Sequence, residues 1–257
     1  MTTSWQFTEA EFYVLWMDQA GEEPPEPFVF TSATRTAEEF HRELREARAR
    51  LNHKLDSDFH RVFDTLSQPD LYLTAYGWSE QEPWGAGSQI RLRAVRKGPK
   101  GYVISQLPGA TYWRRGGYTV VECDPLQLSD AVAAALPSAP RGRRGDVALV
   151  SRDENLDYDF GHSGIAARSD TVISRSAEFL ETPFTTAGIV HIAQGSSAFG
   201  PRGIAHFEVR FRDLVDDGRY ALTSNPEQAL AVDEPRFVSV LDDYIATVIQ
   251  RIDDERC

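Results

Sequence analysis

Gly116-Gly117-Tyr118-Thr119-Val120-Val121-Glu122-Cys123-Asp124-Pro125 carries a turn, a strand and an Asp-Pro in that order. An amphipathic stretch follows, with Leu128, Val132, Ala135 and Leu136 at helical spacing. The order returns in the second half of the chain. There Gly218-Arg219-Tyr220-Ala221-Leu222-Thr223 is the strand. After a spacer come Val232-Asp233-Glu234-Pro235 and the apolar positions Phe237, Val240, Leu241, Tyr244, Ile245, Val248 and Ile249. Asp124 and Asp233 are natural N-caps, because a short carboxylate accepts from the orphan amides of a first helical turn. Proline near the first helical position loses nothing, since its missing N–H would be unpaired there. The recurrence predicts a single α+β domain of pseudo-twofold symmetry. Its sheet-plus-helix halves are roughly 1–140 and 146–257, meeting at the connector Pro137–Gly145. A two-half sheet without a catalytic signature points to a binding surface.

Bulk properties bound the function. At 257 residues the chain can bury a sizeable core. The formal net charge of −12 argues against a nucleic-acid partner, whose phosphates demand a basic surface. The cluster Arg141-Gly142-Arg143-Arg144 lies in a Pro/Gly/Ser stretch and reads as a solvated linker. No apolar run is long enough to span a membrane. Met1-Thr2-Thr3-Ser4-Trp5-Gln6 has neither the basic nor the apolar region of a signal peptide. Cys123 and Cys257 are too few for a disulfide framework. Together these features predict a cytoplasmic protein with no membrane partner.

Thr8-Glu9-Ala10-Glu11 is a capping-box pattern ahead of Phe12, Leu15 and Trp16, and Thr36-Ala37-Glu38-Glu39 is a second, ahead of Phe40, Leu44, Ala47 and Leu51. Phe28–Thr31 reads as a short strand between them. A third helix carries Leu55, Phe59, Val62, Phe63 and Leu66. Strands are expected at Leu71–Trp78, Gln89–Arg96, Tyr102–Ile104 and Tyr118–Cys123, then at Ile189–Ile192, Ile204–Phe211 and Tyr220–Thr223. Short turns between them favour antiparallel pairing. Ser151–Ala167 reads as a polar loop, Asp170 as a helix cap, and Pro235–Arg251 as a long final helix whose wide apolar stripe implies burial on more than one side. Ser79–Ser88 reads as an exposed loop.

Chemistry-bearing motifs are mostly missing. The six histidines are scattered, and neither H-E-x-x-H nor C-x-x-C occurs. Asp153–Asp159 resembles a calcium loop but has Tyr158 where glycine is required. Gly195–Gly203 is glycine-rich without the Lys-Ser/Thr of a phosphate loop, so a hairpin turn is the better reading. Gly161-His162-Ser163-Gly164 is not a nucleophile elbow, because its second glycine comes one residue early. No catalytic residue, metal or cofactor is predicted.

The remaining pattern resembles the EspG chaperones of type VII (ESX) secretion in actinobacteria. The resemblance rests on Glu11-Phe12-Tyr13-Val14-Leu15-Trp16 with Arg35-Thr36-Ala37-Glu38-Glu39, on Val120–Val132, and on Arg202-Gly203 through Asp217-Gly218-Arg219-Tyr220 with the Asp/Pro-opened terminal helix. It departs at Glu234, which interrupts the second Asp-Pro. The resemblance implies a central antiparallel sheet with helical bundles and no enzymatic activity. It further implies binding of PE–PPE heterodimers through the helical tip of PPE, using the central sheet and the C-terminal helical bundle. A monomer or weak homodimer is expected. The candidate contact residues are Trp84, Gln194, Ser196, Ser197, Phe199, Arg236 and Asp243. Trp84 and Phe199 stand out as aromatic rings in glycine- and proline-bearing loops. The alternative class is a small-molecule enzyme or ligand-binding α+β domain with a site assembled from distant residues.

Overall fold

The computed structural model describes residues 3–55, 58–85, 87–111, 113–150 and 166–256, with only the backbone of 166–171. The first half opens with β1 (Ser4–Phe7), followed by α1 (Glu9–Gln19), α2 (Ala37–Lys54) and α3 (Phe59–Ser67). Four strands come next, β2 (Leu71–Ser79), β3 (Ile90–Lys97), β4 (Lys100–Gln106) and β5 (Tyr118–Cys123), and α4 (Leu128–Ala135) closes it. The second half repeats the plan with β6 (Val147–Ala148), α5 (Ala166–Glu181), β7 (Phe184–Gln194), β8 (His206–Leu214), β9 (Arg219–Ser224), β10 (Glu227–Ala231) and α6 (Glu234–Arg256).

All these strands join one antiparallel sheet, ordered β1-β5-β4-β3-β2-β7-β8-β9-β10-β6. In each half the first strand returns to the outer edge beside the last, β1 on β5 and β6 on β10. The halves meet where β2 pairs β7, from Leu71↔Gln194 to Ser79↔Thr186. A half-turn about this seam exchanges the two topologies.

Alternation along the strands gives the sheet two unlike faces. One is apolar across the seam: Leu71, Leu73, Ala75, Leu92, Ala94, Val190, Ile192, Val209 and Phe211 pack beneath α4 and α6. The wide stripe of α6 is accounted for by two neighbours, the sheet and α4, where Ser129 Oγ donates to the Asp242 carboxylate. Among the described residues the other face is covered only at its flanks. Helices α1–α3 bury Val95, Tyr102, Ile104, Tyr118 and Val120. On the far side Phe179 of α5 packs with Leu214, Tyr220, Ala229 and Ala231.

The local grammar explains most elements. Thr8 Oγ1 accepts from Glu11 N while the Glu11 carboxylate accepts from Thr8 N, a closed capping box. Thr36 caps α2 through Glu39 N, but Glu39 reaches back one residue further, to Arg35 N. Asp233 caps α6 through Arg236 N, with Pro235 inside the first turn.

Four expectations are corrected. Tyr118 lies in β5, next before its helix, whereas Tyr220 lies in β9, and the spacer that follows is itself a strand, β10. The echo therefore compared strands one place apart. Glycine-led tyrosines mark where a strand begins and leave its rank in the sheet open. Both hydroxyls hold a neighbouring loop. Tyr118 donates to Val29 O, and Tyr220 donates to Asp217 and accepts from Arg144 N. Asp124 does not cap α4 directly. Its carboxylate accepts from Leu126 N, and a turn through Pro125 separates it from the helix. Phe28–Thr31 is extended but joins no strand; the Gln106 side-chain amide pairs with both Val29 N and Val29 O in a partner's place. Asp170 lies inside α5, not at its start. The calcium-like segment and Gly161–Gly164 fall outside the described residues.

Candidate functional site

Between the flanking helices, strands β3, β2, β7 and β8 present a strip of side chains that, apart from the Val95 end covered by α3, no helix among the described residues covers. Register fixes its rows. Across the sheet run Val95–Tyr72–Ala193–His206, then Arg93–Thr74–His191–Glu208, then Arg91–Tyr76–Ile189–Arg210, and last Trp78–Ala187–Arg212. Tyr76, Trp78 and Ile189 are half-buried along the middle, with Tyr76 and Trp78 rings 5.4 Å apart. The floor is thus aromatic and aliphatic, and its margins are arginine.

The arginines also hold the walls. On the first-half side Arg91 donates to Pro27 O at 2.8 Å and Arg93 to Glu26 O at 3.4 Å, which fastens the 25–30 segment beside the strip. The Arg93 guanidinium lies 3.8 Å from the Tyr72 ring centroid, and burial holds its pKa below the usual arginine value. On the other side Arg212 donates to Leu180 O at the end of α5 and stacks over Phe184 at 4.7 Å. Arg210 is exposed and bonded to Glu208 at 2.6 Å. His191 stacks on His206, with ring centroids 5.0 Å apart. Burial, reinforced by His206, lowers the His191 pKa, so its imidazole is neutral near pH 7.

The candidate residues read from the sequence do not form one surface. Trp84 is 71% exposed in the β2–β3 hairpin loop, at the Trp78 end of the strip. Phe199 is 77% exposed in the β7–β8 hairpin loop, at the opposite end of the sheet. The pseudo-twofold makes these two loops counterparts. Phe199 helps line a cavity of about 410 Å³ with Phe207, Arg251 and Glu255, beside the end of α6. Gln194 is corrected from surface to interior: it is 2% exposed, and its side-chain oxygen accepts from Ala205 N. Ser197 Oγ and Ala198 N both donate to Glu255, stapling the hairpin to α6, while Ser196 is exposed beside them. Arg236 forms a bidentate pair with Asp146 at 2.9 and 2.7 Å, anchoring β6 to the start of α6. Asp243 is exposed midway along α6.

Sequence reasoning did not single out Tyr76, Ile189, Arg210 or Arg212. The signal was present in His206-Phe207-Glu208-Val209-Arg210-Phe211-Arg212, where charge alternates with apolar residues, and again in Arg91-Leu92-Arg93. Such strands have one face in a core and one open or polar face. Among the described residues no three His, Cys, Asp or Glu side chains are grouped as a metal site. No described helix is long and apolar enough to cross a membrane.

These features define the class by fold: an α+β platform whose two halves share one strand order in a single antiparallel sheet, with helices on both faces and, among the described residues, an uncovered seam. The chain belongs to the EspG family, whose sequence model matches residues 8–235. A similar solved structure is the type VII secretion system chaperone EspG5 of Mycobacterium tuberculosis, determined in complex with a PE25–PPE41 dimer. It is 16% identical, with a TM-score of 0.55, and the match covers 93% of this chain and 94% of that one. No curated protein sequence matches significantly.

Proposed function

We propose that this protein is a cytoplasmic, non-enzymatic chaperone that binds the helical tip of the PPE subunit in a PE–PPE heterodimer and keeps it soluble for type VII secretion. Family membership over most of the chain carries the reading. The likeness in fold to a chaperone solved with a PE25–PPE41 dimer supports it. The docking site in this reading is the seam strip, with Trp84 at its end. A helix-hairpin tip needs a trough with aromatic and aliphatic anchors and a polar rim. Tyr76, Trp78 and Ile189 supply anchors, and Arg210 and Arg212 supply the rim.

Titration calorimetry of the protein against purified PE–PPE heterodimers tests the reading. One pair should bind at one-to-one stoichiometry. Trp78→Ala should weaken it by about tenfold or more, while Phe199→Ala should leave it unchanged. The reverse pattern would move the site to the α6 end of the sheet, and binding by no pair would remove the function.

A further inference from the structure

We propose that the seam strip selects a PPE tip that carries carboxylates, with Arg210 and Arg212 as the receiving cations; this rests on the function proposed above. Charge on the strip opposes charge on the whole. The chain bears a formal −12. Rows two to four of the strip nevertheless bring Arg91, Arg93, Arg210 and Arg212 to one face, with Glu208 as the acid within the rows and Glu80 and Glu26 acting from the edges on Arg212 and His191. His191 and His206 flank Glu208 on the same face.

The four arginines are not equivalent. Arg91 and Arg93 are turned into the wall beneath Pro27 and Glu26. Arg212 spends one donor on Leu180 O and lies against Phe184. Arg210 is the solvent-facing cation, with its side chain 63% exposed and Glu208 as its ion-pair partner. An acidic tip entering between the 25–30 segment and α5 thus meets Arg210 first and Arg212 beside it. It trades Glu208 for its own carboxylate. The chain as a whole is acidic, so a misplaced acidic tip meets net like charge on average. Electrostatic complementarity of this kind acts mainly on the rate of encounter and on partner choice, while the aromatic floor supplies holding energy.

The experiment takes the heterodimer that titrates above and measures association kinetics at low and high NaCl. Wild type should associate faster at low salt. Arg210→Glu should slow association about tenfold and flatten its salt dependence. Glu208→Gln removes the internal competitor and should tighten binding severalfold. Replacing the acidic residues of the PPE tip with lysine should slow association with wild type about tenfold and restore fast association with Arg210→Glu. That reciprocal rescue separates charge pairing from damage to the fold, which no partner variant could repair. Near-native binding by Arg210→Glu with unchanged salt dependence would overturn the charge assignment and leave the chaperone reading standing. Failure of every heterodimer to bind wild type would overturn both.

Discussion

Glu11 is buried at the start of α1, and its surroundings decide its charge. Burial pushes the carboxyl pKa up, but Lys54 at 3.0 Å, the Thr8 amide and Arg50 at 2.9 Å together outweigh it, so the pKa lies below the ordinary carboxylate value. A depressed folded-state pKa stabilises above the unfolded value of about 4.3, and that contribution fades as pH falls through the folded value. Glu11→Gln should therefore cost about 1–2 kcal/mol at pH 7, since Arg50 and Lys54 are partly solvated. Denaturation at pH 7 and near pH 3 checks it: the gap between variant and wild type should close in acid. Cys123 shows the opposite balance. Burial, with Asp124 and Glu122, pushes its thiol up to about 11. Iodoacetamide at pH 8 should alkylate it on the order of a hundredfold slower than a free cysteine, because the thiolate is the nucleophile. At this scale the sequence revealed the capping box and the odd aromatics Trp84 and Phe199. It could not reveal that Gln194 turns inward, because burial of one side chain depends on which loop folds over it.

Among the elements, the central strand pair is the most demanding. Gly77 of β2 pairs with Gly188 of β7, and Phe211 of β8 lies against the gap they leave. A Cβ on Gly188 would come within 2.5 Å of both the Phe211 ring and Tyr76 O. Gly188→Ala should destabilise by about 1–3 kcal/mol and lower the Tm by several degrees, read by calorimetry. Helices and long strands were legible because each carries its own period. The strands β1, β6 and β10 were not: β1 spans four residues, β6 two and β10 five. Segments so short show too few alternations, and they become strands because a neighbour offers a free edge. The extended stretch at Phe28–Thr31 has strand-like composition, yet it meets the amide of Gln106 instead of a strand.

For the whole molecule, the seam and the core beneath α4 and α6 belong to both halves. The halves should therefore unfold together. The five tryptophans, Trp5, Trp16, Trp78, Trp84 and Trp113, all lie in the first half, so fluorescence follows that half while far-UV circular dichroism follows both. Urea midpoints from the two signals should coincide, and a dichroism transition persisting beyond the fluorescence transition would mean independent halves. The sequence by itself determined the α+β class, most of the helices with the caps at Thr8, Thr36 and Asp233, the order of the longer strands and the resemblance to the EspG family. Those properties reside in local periodicity and in residues close along the chain. Tertiary structure alone decided that β10, not β9, is the counterpart of β5. It also placed Trp84 and Phe199 at opposite ends of the sheet and gathered arginines from β3 and β8 onto one strip. These are consequences of strand register and of the half-turn between the halves. Both are set by which edges and cores close together across more than a hundred residues, as between Arg91 and Arg210.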